Sequence, residues 1–212
     1  MRSPFADGER DRLIAALLPD VAFDGWSRHS LRMAARRAGI PLGEAMALFP
    51  RGAPDMVAAF SRWADRQMLD RLEAAPVEPV SLSRRVALAL RLRFEVLTPW
   101  REAVRRGLSV LALPQNAPLA CRLVYETVDA IWYAAGDAAV DFSFYTKRLT
   151  LGAILGATVL YWLEDRSAEF VETRAFTDRR LAGMARIGRA RRDLETLAER
   201  LPNPLRLFRP LR

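Results

Sequence analysis

GWSRHSLRMAARRAGIPLGEAMALFPRG, Gly25 to Gly52, decides the fold. Ser27 is a good N-cap, and Leu31, Ala34 and Ala35 follow at spacings that place them on one helix face. Gly39 stops that helix after Ala38, and Ile40 seals the turn. A short helix over Leu42–Leu48 is ended by Phe49-Pro50. Two helices joined by a glycine turn have the spacing of a helix-turn-helix.

Outward from this unit the helical period continues and no convincing period-2 strand appears. Upstream, Glu9–Leu18 reads as a helix stopped near Pro19. Downstream, Pro54 suits the first turn of a long helix reaching about Ala74. PVEPVS (Pro76–Ser81) is the clearest internal break. Helices are then expected over Leu82–Leu97, Pro99–Leu111, Leu119 to about Ala134, Phe144–Glu164 and Ala168–Gly188. Arg189–Arg200 extends or follows the last of these. The chain therefore reads as all-α, with a helix-turn-helix region over 1–52, a larger helical bundle over 53–188 and a basic amphipathic segment over 189–212.

The helix-turn-helix resembles the DNA-binding head of tetracycline-repressor-type regulators. In such a head the second helix enters the major groove, and base edges are read by Arg, Lys, Asn, Gln, Ser or Thr. Here that helix offers Leu42, Gly43, Glu44, Ala45, Met46, Ala47 and Leu48, with one carboxylate and no donor. The basic Arg28, Arg32, Arg36 and Arg37 lie on the preceding helix, within reach of backbone only. The scaffold is kept and the base contacts are missing. A transcriptional regulator is the alternative reading.

Other features bound the chemistry. His29 is the single histidine and Cys121 the single cysteine, which disfavours a histidine metal site, a catalytic triad and an internal disulfide framework. The carboxylate pairs Asp137/Asp141 and Glu164/Asp165 have no nucleophile or metal set beside them, so no catalytic residue, metal or cofactor is expected. The first residues, MRSPFADGER, do not read as a signal or transit peptide, and a cytoplasmic bacterial protein is expected. The net charge of +8 is uneven. From Arg179 to Arg212 ten arginines face Asp193, Glu195 and Glu199, leaving the preceding residues nearly neutral. A basic tail on a neutral body points to a polyanionic surface.

Two segments carry the functional argument. The first, DAIWYAAGDAAVDFSFYTKR (Asp129–Arg148), packs five aromatic residues around three aspartates and holds the only lysine, Lys147. Exposed together, Trp132 and Tyr133 suit an interface anchor. Alternatively they pack beneath the Gly136 loop. Consecutive helix residues point about 100° apart, so at most one is expected to be fully buried. The second segment, Leu149–Leu163, is 15 residues without a charge, short of the roughly 20 a membrane span needs. Either it lines a greasy pocket, with Leu149, Ile154, Leu155, Val159, Leu160 and Trp162 joined by Leu108 and Leu111, or it forms a core or dimer seam. In the tail, Leu194, Leu197 and Leu201 repeat at helical spacing beside Arg191 and Arg192, followed by Leu207 and Phe208. Arginines bordering a narrow apolar stripe suit an interfacial helix on anionic lipid, or the stripe packs on the body.

The ordered motifs VAFDGW (Val21–Trp26), LFP (Leu48–Pro50), LPQNAP (Leu113–Pro118), DAIWYAAGD (Asp129–Asp137), DFSFYTKR (Asp141–Arg148) and YWLEDRS (Tyr161–Ser167) closely resemble the ubiquinone-biosynthesis accessory family COQ-nine. The resemblance runs from about Leu13 to Gly188 and implies a tetracycline-repressor-type all-helical fold without repressor activity. It implies a non-enzymatic protein that binds an isoprenoid quinone intermediate or phospholipid and presents it to the demethoxyubiquinone hydroxylase. The Trp132-Tyr133 pair would lie in the docking patch, with Gly136, Asp137, Asp141, Tyr145, Lys147 and Arg148 in or beside it. A C-terminal amphipathic helix, matched here by Arg189 to Leu201 and the tail behind it, would attach peripherally to the inner face of the bacterial inner membrane. Such folds usually pair their last long helices, so a homodimer is also expected.

Overall fold

In a computed structural model, the structure describes residues 4–75, 81–136 and 142–200, with side chains described over 8–75, 81–136, 145–184 and at 186. Among these residues there is no strand. The helices are α1 (Pro4–Asp24), α2 (Arg28–Ala38), α3 (Leu42–Leu48), α4 (Ala53–Ala74), α5 (Leu82–Leu97), α6 (Arg101–Leu111), α7 (Ala117–Ala135), α8 (Phe142–Glu164) and α9 (Val171–Arg200). The all-α expectation holds, and α2, α3 and α4 fall where their caps placed them. Ser27 Oγ accepts from the Ser30 amide at 3.1 Å, and Gly39 closes α2 in the left-handed region.

Helix starts shift by two to five residues in α1, α6, α7 and α8, and two further boundaries depart for a physical reason. Pro19 does not stop α1, which runs through it to Asp24. Leu13, Ile14, Leu17, Leu18 and Val21 are all buried, so packing on both sides of the proline offsets its missing hydrogen bond. The segment Ala168–Phe170 is a short 3-10 turn rather than the start of the last helix, and α9 then continues unbroken to Arg200.

One hydrophobic cluster runs from Leu13 in α1 to Leu181 in α9. Trp26 joins head to bundle: its indole N–H donates to the Ala103 carbonyl of α6 at 3.0 Å, and its ring lies 5.3 Å from Phe60 of α4. At the bundle centre, Arg93 of α5 donates from Nε to Asp65 of α4 at 2.8 Å. The Thr127 hydroxyl of α7 donates to the same carboxylate at 2.9 Å. The pair is almost wholly buried, so its value rests on this complete set of partners. Arg62 adds a two-bond bridge from α4 to Glu126 of α7.

α8 crosses α7 closely at Gly152. A Cβ there would lie 3.2 Å from Val124 Cγ1, so a larger residue requires Val124 to move. The inner face of α8, with Leu151, Ile154, Leu155, Thr158 and Trp162, is buried. Its outer face leaves Leu149 and Leu160 open to solvent.

Candidate partner-docking site

The site forms where α7 ends. Gly136 adopts φ +89°, a conformation costly for any residue with a Cβ, and its amide closes the helix on the Trp132 and Tyr133 carbonyls. Arg85 of α5 donates to the Ala134 carbonyl at 3.2 Å, placing a cation at the negative end of α7. The last turn is therefore held from two sides.

Tyr133 is 83% exposed, whereas Trp132 is 3% exposed. One of the two is buried, as the 100° of helical rotation between them implied: the Trp132 ring enters the cluster and the Tyr133 ring enters solvent, so Trp132 is not itself an exposed anchor. Lys147 of α8 places its ammonium 5.5 Å from the Trp132 ring centroid, in cation–π range. Trp132 thus braces α7 against α8 from beneath. Its indole nitrogen is buried with no acceptor among the described residues. Arg148 is buried as well and donates from Nε to Asp129 at 2.8 Å, which makes it a tie between α7 and α8 rather than a free basic contact. Tyr145, one turn ahead of Leu149, is 65% exposed. Asp137 and Asp141 lie outside the described residues.

The structure does not gather the eight apolar pocket candidates around one cavity. Ile154, Leu155 and Trp162 are core residues, and Leu108, Leu111 and Val159 pack partly buried against the core. Leu149 and Leu160 are 76% and 64% exposed. Trp162 alone of the eight borders a cavity of about 60 Å³ between α5, α8 and α9, which Phe94, Phe170 and Thr177 also line. Small-molecule sites run to roughly 300–1,000 Å³, so this space does not hold an isoprenoid chain. Leu160 borders a wider, open depression of about 690 Å³. Glu164, Asp165, Arg166 and Glu172 line it, and such charged walls do not suit an apolar tail. In the membrane-contact set, Arg191, Arg192, Leu194 and Leu197 are in α9, but their side chains lie outside the described residues. Leu201, Leu207 and Phe208 lie wholly outside them.

Sequence reasoning missed a polar clamp at the end of α8. Arg101 donates to the Trp162 and Asp165 carbonyls at 2.6 and 2.7 Å and lies over the Trp162 and Phe170 rings. Arg105 donates to the Leu163 carbonyl and to Glu164. Asp165 accepts from the Ser167 and Thr173 amides and from the Thr173 hydroxyl. Burial pushes its carboxyl up, but the hydrogen bonds from Ser167 and Thr173 outweigh that and hold it at about 2. The Arg105 guanidinium holds Glu164 below its ordinary value too. Both shifts run opposite to what a general acid needs. The clamp also supports Glu169 and Phe170 at φ +50° and +55°, a rare conformation for residues with side chains. The repeated Arg101 and Arg105, with the charge-free Leu149–Leu163 stretch later in the chain ending at Glu164-Asp165, was the available signal.

Among the described residues, no helix is long and apolar enough to cross a membrane, and no group of three His, Cys, Asp or Glu could hold a metal ion.

The fold class is that of the tetracycline repressors. The chain superposes on the crystal structure of a TetR transcriptional regulator from Nitrosomonas europaea with a TM-score of 0.66 at 23% identity, covering 83% of this chain and 97% of that one. The family match lies elsewhere: the chain carries a COQ9 domain, its residues 117–188 matching the COQ9 family model, across α7, α8 and more than half of α9. It is 31% identical over 182 residues to the Drosophila melanogaster protein named "Ubiquinone biosynthesis protein COQ9, mitochondrial", covering 82% of this chain. To the Homo sapiens protein of the same name it is 29% identical over 199 residues, covering 90% of this chain. The chain spans 55% and 62% of the length of these two relatives.

Proposed function

We propose that this chain is a non-enzymatic accessory protein of ubiquinone biosynthesis. It binds an isoprenoid quinone intermediate or phospholipid at a membrane surface and presents it to the demethoxyubiquinone hydroxylase. The names of the COQ9 relatives supply the process. The observation that carries the docking step is Tyr133: a large aromatic ring 83% exposed, on a helix end fixed by Gly136, Arg85 and the buried Trp132. A rigid exposed aromatic gives contact area at small entropic cost, as interface anchors do.

Lipid binding draws support from the outer stripe of α8. Tyr145, Leu149 and Leu160 are open to solvent along a helix with no charge between Leu149 and Leu163. Neither the small cavity beside Trp162 nor the charged depression beside Leu160 suits the tail, and the lipid is proposed to lie along this stripe or between it and a second copy of the chain. The basic C-terminal segment supplies the peripheral attachment to anionic lipid. The COQ9 relatives named above are mitochondrial; for this chain the inner face of a bacterial inner membrane is proposed.

The repressor reading loses support from α3, whose exposed side chains include Leu42, Glu44 and Met46. The test of the lipid step is mass spectrometry of organic extracts from the purified full chain. Isoprenoid quinone precursors or phospholipid at near-stoichiometric amount support the proposal, and extracts consistently free of both refute it.

A further inference from the structure

We propose that the helix-turn-helix head is a second membrane-contact surface, which seats α3 on anionic lipid at a place separate from the C-terminal segment. This goes beyond the accessory function and does not depend on it.

The evidence is the surface that replaced a reading head. Leu42 and Met46 stand one turn apart on α3 and so share a face; they are 40% and 41% exposed. Gly43 beside them meets nothing within 4 Å of a built Cβ, so this face of α3 is open. Met33 on α2 is 37% exposed. Arg28, Arg32 and Arg36 recur every fourth residue of α2, are all exposed, and have no acidic partner among the described residues. The other arginines here are engaged, Arg37 with Asp20 and Arg51 with Asp55. Between Gly25 and Gly52 five arginines stand against one carboxylate, Glu44.

Apolar side chains on one short helix, with a row of exposed arginines on the helix packed against it, match the layered chemistry of a bilayer interface. Leu42 and Met46 would enter the headgroup–acyl boundary while the arginines meet lipid phosphates. A duplex offers phosphates without an apolar layer, and it would leave Leu42 and Met46 unsatisfied and Glu44 repelled. The arginine row therefore selects an anionic partner and the apolar pair selects lipid. A weak contact at the head, added to one at the tail, would strengthen attachment through effective concentration.

The test labels α3 directly. Met46→Cys in a Cys121→Ser background carries an environment-sensitive fluorophore, and the full chain is mixed with phosphatidylcholine vesicles with or without phosphatidylglycerol. The expected result is a blue shift with phosphatidylglycerol vesicles only, abolished at high salt. Arg28→Ser/Arg32→Ser/Arg36→Ser, with the tail intact, should weaken the shift on the order of a hundredfold in lipid concentration. Circular dichroism checks that this surface variant stays folded. An unshifted label on vesicles that do bind the chain would assign attachment to the tail alone and overturn the proposal. So would a shift produced equally by double-stranded DNA, or by the chain's own dimerisation without vesicles.

Discussion

Tyr133 and Trp132 are neighbours in sequence with opposite roles, and their substitutions should separate cleanly. Trp132→Ala removes a buried ring from the α7–α8 junction and is expected to cost about 3–5 kcal/mol, read as a fall in denaturant midpoint. Trp132→Phe also deletes an N–H that has no acceptor among the described residues, and its cost should stay near about 1 kcal/mol. Tyr133→Ala alters a ring already in water and should leave stability within about 0.5 kcal/mol. Asp165 sets a different test at this scale. Its folded carboxyl sits at about 2 against an ordinary 3.8. A depressed folded value gives stability that is present above the ordinary value and is lost as pH falls through that window. Asp165→Asn should therefore flatten the acid limb of the melting profile between pH about 4 and about 2.

At the scale of elements, much was legible because caps and periods are local. Ser27, Gly39 and Pro54 bounded α2 and opened α4 by local chemistry alone, a side-chain cap and two backbone preferences. Pro19 misled because burial of the turns around it is a tertiary effect invisible in the local sequence. The buried Asp65–Arg93–Thr127 set was partly readable: Val86, Leu90, Arg93 and Leu97 follow core spacing in α5, so an arginine there required an acid from elsewhere. Which acid depends on how α4 packs, and no local pattern encodes that. Asp65→Ala leaves the Arg93 charge buried and should cost about 3–5 kcal/mol, whereas Asp65→Leu with Arg93→Met should cost far less, measured by urea unfolding. The face of the aromatic pair was likewise only half legible. Helical rotation separates Trp132 from Tyr133, but the direction of the core decides which one is buried.

For the whole molecule, the fold of a repressor carries an α3 without base-reading donors and a bundle whose COQ9 domain presents Tyr133. The exposed Leu149 and Leu160 make α8 the proposed seam for a second copy or for lipid. Leu149→Glu with Leu160→Glu should shift the chain from dimer to monomer in sedimentation equilibrium, or lower its lipid content if the stripe holds lipid instead. The central claim is that the end of α7 docks the hydroxylase, and binding of the purified demethoxyubiquinone hydroxylase to the full chain and to Tyr133→Asp tests it most directly. The account predicts at least about a tenfold loss of affinity in a variant with an unchanged melting temperature. Equal affinity of the two proteins would contradict it.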